Sequence, residues 1–470
     1  MAAATEVPDE PGQPPALTAL SLAQQSQAMT KEQIITPFDV SGGVDEHGKP
    51  IAIDYNKLID KFGSQRIDGA LLERFEKATG HRAHRLLRRG MVFSHRDLTV
   101  ILDKYEKGVP FFLYTGRGPS SDSMHVGHSI PFEFTKYLQD VFNVPLVIML
   151  TDDEKFFHTA KLTQKECRRF AMQNAMDIIA IGFDMKKTFI FADSEFTESA
   201  FAGAFNENVR EMGKRTTANQ IRHTFGFTDS NNISEFHFPA MQSATSFATS
   251  FPFIFGYDTK KVSKIPCLIP CAIDQDPYFR QCRDNAPRLK LPKPAIIHTV
   301  FLPSLRGSES KMSASDVDSS IFLSDTDKQI KKKIGQAFSG GQETLEEQRE
   351  KGGRTNVDVP FQYLTFFLED DDKLEELRTG YESGKIASGD MKAACTKELQ
   401  AYVSAFRERR KAVTEKVREE FMRPRQLEFT GMPSEEEQKA ARKTKFAALL
   451  GSLSLDDIEF LRQEKTNQDS

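Results

Sequence analysis

Tryptophan is absent from the 470 residues, whereas phenylalanine occurs 38 times. Phenylalanine must therefore fill the large aromatic positions of whatever core the chain builds. Cysteine is scarce, five residues in all, an odd number spread over the chain. Cys267 and Cys271 stand four apart, not as a CxxC pair, and no His/Cys cluster lies beside them. That pattern argues against a disulfide framework or a zinc site and fits a reducing cytoplasm. No apolar run is long enough to span a bilayer, so no membrane partner is expected. No arginine precedes Arg66, and Glu6, Asp9 and Glu10 stand near the start, which counts against a mitochondrial transit peptide; no apolar core of a secretory signal is visible. Neither sign of charge dominates: the net charge is −4. Contact with nucleic-acid phosphates would need a local basic patch.

A chain of this length divides into two or three domains, and its 39% hydrophobic and 28% charged residues are those of a globular protein. Residues 1–31, rich in Ala, Pro, Gln and Ser without a hydrophobic period, read as a disordered tail. Residues 32–107 read as an appended region. A hairpin is expected over 33–55, where QIITPFDV and KPIAIDY flank the turn-rich SGGVDEHG, with helices over 56–107. Over 108–335, FFLY (111–114), PLVIML (145–150), TFIFA (188–192), CLIPCAI (267–273) and AIIHTVFL (295–302) alternate with amphipathic segments. That alternation predicts an α/β domain with a doubly wound parallel sheet, interrupted by a less regular insertion at about 194–262. Residues 336–430 carry helical spacing only, and 431–470 read as a charged tail.

Two stretches carry chemistry. GRGPSSDSMHVGH (116–128) follows the first strand of the alternation and opens a helix. Helix N-termini present free N–H groups and a positive dipole end, so a doubly wound fold binds phosphate there. Gly116, Gly118 and Gly127 allow close backbone approach, and His125 and His128 add donors beside the same end. The stretch is neither GxGxxG nor a Walker sequence, and alone it also suits a polar turn with two surface histidines. SKMSASD (310–316) sets Lys311 in a loop of hydroxyls with Ser308, Ser310, Ser313 and Ser315. Such a loop suits a pyrophosphate that must be gripped and then released; alone it also reads as an ordinary exposed loop.

In this order and fold context, MHVGH and KMSAS resemble the HIGH and KMSKS signatures of the class I aminoacyl-tRNA synthetases. Ala314 stands where the second lysine of KMSKS would, so a second loop cation is missing. FFLYTGRGPSS, NVPLVI followed by TDDEK, CLIPCAIDQDPYFR, SSIFL, AFSGG and YLTFFLEDDDKLE are similar to the eukaryotic cytoplasmic tryptophanyl-tRNA synthetases, over about residues 50–430.

The resemblance implies a Rossmann-like catalytic domain, a helical anticodon-binding domain at 336–430 and a homodimer. It implies ATP with Mg²⁺, L-tryptophan and tRNA(Trp) as reactants and partners. His125, His128 and Lys311 would be catalytic, and Arg117, Gly127, Asp274, Met312, Ser313 and Ser315 would complete the ATP site. Tyr114, Met149, Glu154, Gln242 and Gln275 would hold tryptophan; no resident metal ligand is implied. Human-like members carry glutamine where this chain has Met149, and a thioether is a weak acceptor for an indole N–H. The basic run 401–426 offers Arg407, Arg410 and Lys411 to tRNA, although a solvated helix face of mixed charge reads the same way. The acidic run 369–372 reads as a helix N-terminal cluster, not a metal site. The rival readings are a tyrosyl-type synthetase, a synthetase-like binding module without catalysis, and a nucleotidylyltransferase of related fold.

Overall fold

The computed structural model describes residues 33–38, 40–43, 51–312 and 317–428, with the backbone alone for 308–311. The tails expected at 1–31 and 431–470 lie outside the described residues. Strands β1 (Ile34–Ile35) and β2 (Val40–Ser41) pair as a small hairpin. One sheet contains β3 (Gln65–Arg66), β4 (Val92–Arg96), β5 (Phe112–Arg117), β6 (Leu146–Leu150), β7 (Thr188–Ala192), β8 (Cys267–Ala272) and β9 (Ala295–Thr299). Their order is β3-β4-β9-β8-β5-β6-β7. Strands β10 (Pro303–Ser304) and β11 (Gly307–Lys311) pair apart from it.

The five strands β9-β8-β5-β6-β7 are parallel. The chain steps outward through β5, β6 and β7, then restarts at β8 on the other side of β5. Strand order therefore switches between β5 and β8, and a crevice opens at their carboxyl ends. A parallel sheet needs cover on both faces, and strand alternation divides the cover. In β5, Leu113 points to one face, Phe112 and Tyr114 to the other. The Leu113 face shares one core with helices Val126–Phe142 and Gln164–Ile179 and, without a break, with Val359–Phe367 and Ser388–Lys411. The C-terminal helices thus pack into the catalytic core instead of standing apart from it.

The opposite face is covered by the insertion, which is helical: Gly203–Arg215, Ala218–Phe225 and Ile233–Ala244. Here the phenylalanines concentrate. Phe191 and Phe196 lie 4.8 Å apart between ring centroids, and Phe196 and Phe205 5.6 Å apart at 77°. Such ring pairs add roughly 0.5–1.5 kcal/mol each beyond their burial.

Two expectations need correction. The hairpin forms within QIITPFDV itself, and residues 51–54 are not a strand. The segment 56–107 is not helical throughout, because β4 extends the sheet, antiparallel to β9, with β3 beyond it. Ser94 and His95 interrupt the apolar pattern of β4; Ser94 is buried because its hydroxyl pairs with His298 at 2.9 Å.

The acidic run at 369–372 does cap a helix, Asp371–Glu382, with Asp370 accepting from the Lys373 N–H. It also anchors three arginines. Arg85 donates to the Phe366 carbonyl (2.6 Å) and Arg89 to those of Thr365 and Leu368, closing the C-terminal end of Val359–Phe367. Arg88 and Arg89 each reach Asp371 at 2.9 Å. Burial works to raise the Asp371 carboxyl, but the hydrogen bonds from Arg89 and Arg88 hold it below the usual range. A depressed carboxylate adds stability above its unfolded pKa and loses it as pH falls through its folded value. Asp371→Asn should thus cost about 1 kcal/mol at neutral pH, discounted for partial exposure. Variant and wild type should converge in urea unfolding as the pH falls below the ordinary carboxylate range and through the folded-state value of Asp371; a gap that persists once the carboxyl is protonated would contradict this origin.

Candidate active site

The crevice at the carboxyl ends of β5 and β8 holds a cavity of about 280 Å³. Gly116 and Arg117 end β5 at its edge. Gly118 follows, and a Cβ there would stand 2.3 Å from Lys155 Cε and 3.0 Å from Glu154 Oε2. The turn therefore runs against the side-chain ends of Glu154 and Lys155 at the start of helix Asp152–His158. His125 is the N-cap of Val126–Phe142, with His128 one turn on. Their rings stack at 3.4 Å, and the His125 N–H donates to His128 Nδ1 at 3.4 Å.

The two signature stretches are joined through backbone. Val126 N–H donates to the Ile321 carbonyl (2.8 Å) and Leu323 N–H to that of Met124 (2.9 Å). The chain leaving SKMSASD therefore lies against the entry to MHVGH. Met312 lines the cavity beside Gly127, where a Cβ would stand 3.5 Å from its sulfur. Ser313 and Ser315 lie outside the described residues, as does the Lys311 side chain; the Lys311 backbone ends β11.

The other walls come from three elements. Glu154 accepts from Thr151 Oγ1 (3.0 Å) and pairs with Lys155 (3.2 Å). Its neighbours turn away: Asp152 accepts from the Ser194 hydroxyl at 2.6 Å, and the Asp153 N–H donates to Asp193 at 3.1 Å. Burial and the adjacent Asp152 push the Asp153 carboxyl up to about 6. Gln242 arrives on helix Ile233–Ala244, inside the stretch that looked irregular in sequence. Asp274 and Gln275 occupy a single 3₁₀ turn between β8 and helix Asp276–Asn285.

Tyr114 and Met149 lie fully buried under the cavity. The Tyr114 hydroxyl stands 3.6 Å from the Met149 sulfur, and the Thr245 hydroxyl donates to the same sulfur at 3.1 Å. Thr245 escaped the sequence reading, and Thr151, Lys155 and Phe279, although inside TDDEK and CLIPCAIDQDPYFR, were given no role by it. Of the basic residues suggested for tRNA, Arg407 pairs with Asp327 and the Asp325 carbonyl, and Arg410 with Asp177 at 2.7 Å. Lys411 is exposed, paired with Glu408.

The model of the class I tRNA synthetases (W and Y) matches residues 106–404. Over 416 residues the chain is 53% identical to the cytoplasmic tryptophan–tRNA ligase of Saccharomyces cerevisiae, covering 88% of this chain and 94% of that one. The cytoplasmic human tryptophan–tRNA ligase is 56% identical over 378 residues, 80% of this chain and 79% of that one. A tryptophanyl-tRNA synthetase from Encephalitozoon cuniculi, solved bound to tryptophan, superposes with a TM-score of 0.72 at 43% identity, covering 80% of this chain and 99% of that one.

Arg117 is the electrostatic anomaly of the cavity. Its Nε and Nη2 are closed off from solvent with no hydrogen-bond partner among the described residues. Burial pushes the guanidinium down to about 10, with Glu154 opposing. Buried guanidinium nitrogens that lack hydrogen bonds destabilise the free protein. Arg117→Met should therefore leave the ligand-free protein as stable as wild type or more so, by up to about 2 kcal/mol. Calorimetry measures this; a clear fall in Tm would show that the guanidinium is already satisfied.

Proposed function

The chain belongs to the class I tRNA synthetases for tryptophan and tyrosine, and from that premise we propose that it is a tryptophan–tRNA ligase of the cytoplasm, activating L-tryptophan with ATP and passing it to tRNA(Trp). The observation that carries the reading is the meeting of Gly127 and His125 with Met312 on one cavity, in a chain more than half identical to such ligases.

In the first step the tryptophan carboxylate attacks the α-phosphorus of ATP and expels pyrophosphate. The nucleophile is already ionised, so catalysis consists of positioning and of stabilising charge on phosphate. His125 and His128 and the helix N-terminus they cap face that charge. Arg117 meets the triphosphate, which would supply acceptors for its Nε and Nη2. Lys311 with Met312, Ser313 and Ser315 grips the departing pyrophosphate. Asp274 takes the ribose, and Glu154, Gln242 and Gln275 take the α-ammonium and carboxylate of the amino acid. Mg²⁺ would travel on the phosphate oxygens and waters of ATP. Glu154 and Asp274 are the carboxylates on the cavity wall, and Glu154 is engaged by Thr151 and Lys155. In the second step the 3′-terminal ribose hydroxyl of tRNA attacks the acyl carbonyl and releases AMP. Contact with tRNA falls to exposed Lys411 in preference to Arg407 and Arg410, which hold the helices together. A homodimer is the expected assembly. Ile233, 86% exposed beside Phe236 on the insertion, marks a face that a second copy would cover.

ATP–pyrophosphate exchange with tryptophan, repeated with tyrosine, tests the reading; exchange that depends on tyrosine alone would reverse it. Because the chain has no tryptophan, the fluorescence anisotropy of added tryptophan reports its binding free of protein signal.

The Met149 sulfur draws both hydroxyls of the pocket floor, Tyr114 and Thr245. A hydroxyl keeps acceptor lone pairs while it donates, so the indole N–H has an oxygen to meet. Tyr114→Phe should reduce kcat/KM for tryptophan by about 100-fold, more than in a relative with glutamine at position 149. Equal losses in the two backgrounds would rule out this division of labour.

A further inference from the structure

Helix Asp276–Asn285, which leaves the cavity right after Asp274 and Gln275, is gripped from β4 by two ion pairs of opposite direction. Arg96, the last residue of β4, forks onto Asp276 through Nε (2.7 Å) and Nη2 (2.9 Å). The next residue, Asp97, accepts from Arg283 at 2.7 Å. Asp276 and Arg283 are two helical turns apart and share a face. The Asp276 end carries more. His298 on β9 holds the same carboxylate through Nε2 at 3.0 Å, and its Nδ1 meets the Ser94 hydroxyl at 2.9 Å. Ser94, His298 and Asp276 are fully buried. Against the cost of that burial, the bonds from His298 and Arg96 hold the Asp276 carboxyl well below the usual range. Arg96 also donates to the carbonyls of Phe62 and Gly63, which end helix Tyr55–Phe62.

The 3₁₀ turn that carries Asp274 and Gln275 starts at Ala272 and closes on the Asp276 N–H, which donates to the Ile273 carbonyl. Whatever fixes Asp276 therefore fixes the closing end of the turn that carries both. We propose that Asp276, clamped by Arg96 and His298, is a positioning residue that aligns the Asp274–Gln275 turn with its substrates, and that Arg96 is the point through which the N-terminal region sets substrate affinity. This rests on the roles given above to Asp274 and Gln275.

The far pair supplies the control, since Arg283→Met breaks the same kind of ion pair on the same helix away from the cavity. Asp276→Asn and Arg96→Lys would be compared with it by tryptophan anisotropy, ATP–pyrophosphate exchange and thermal unfolding. Asp276→Asn should weaken tryptophan binding about ten-fold or more and raise KM more than it lowers kcat. Arg96→Lys, which keeps the charge but loses the fork, should do the same to a smaller degree. Arg283→Met should lower Tm yet leave the tryptophan Kd within about two-fold. If Asp276→Asn does not fold, Arg96→Lys decides the comparison alone. Wild-type binding with an Asp276→Asn Kd unchanged, or an equal shift in Arg283→Met, overturns the clamp. Failure of the wild type to bind tryptophan overturns the function itself, and this inference with it.

Discussion

A parallel strand buried on both faces can release polar chemistry only at its ends, and β5 is where that constraint acts. Phe112, Leu113 and Tyr114 are each committed to a core. Gly116, Arg117 and Gly118 then leave the sheet into the crevice opened by the switch from β6 to β8 as neighbours. The position of the cavity, the choice of a helix N-terminus as its floor and the meeting of two distant motifs all follow. The alternation of β5 also decides which face carries the substrate pocket, because Tyr114 and Met149 point to the phenylalanine-rich insertion. A buried indole would need a partner for its N–H, whereas a phenyl ring needs none, and phenylalanine supplies most of the aromatic rings of that core.

Charge is arranged differently from what the composition implies. The chain is close to neutral, yet its arginines are gathered at seams. Arg85, Arg88 and Arg89 tie the N-terminal helices to Asp371 and to the carbonyls of Val359–Phe367. Arg407 and Arg410 tie the long C-terminal helix to Asp327 and Asp177. A planar, permanently charged fork suits such seams, since one side chain can satisfy a helix end and a carboxylate together. Arg117 differs from these, with two buried nitrogens that lack a partner among the described residues. Its position at the cavity makes it an acceptor of ligand charge in the way the seam arginines are not.

Much of this was legible in the sequence because parallel strands read as short unbroken apolar runs. TFIFA coincides with β7 residue for residue, and PLVIML and CLIPCAI overshoot β6 and β8 by one residue each. Strand β4 was not legible, since Ser94 and His95 resemble a loop until the Ser94–His298 bond is known, and that partner is 204 residues away. Gln242 was recognised through resemblance, but its helix was hidden by a nearly uniform burial that removes helical periodicity. Thr245 carries no local signal, and Asp276 lies inside CLIPCAIDQDPYFR but was given no role from it. Their importance comes from a sulfur on β6 and an arginine on β4, contacts that only the folded chain creates.

The same reasoning explains why an appended N-terminal region matters to a cavity it scarcely lines. Pro37 is its one residue on the cavity wall among the described residues, so direct contact is a weak route of influence. Strand β4 gives a stronger one, because it lies antiparallel against β9, and β9 contributes His298. Arg96 and His298 reach one carboxylate from two strands, so the helix start is fixed relative to the sheet and not merely to its own loop. The Arg283–Asp97 pair, two turns along and away from the cavity, adds stability at the far end of the helix, whereas the double grip on Asp276 sets the end next to the turn. Rigid support of this kind is what a site needs when its chemistry depends on placement more than on proton transfer.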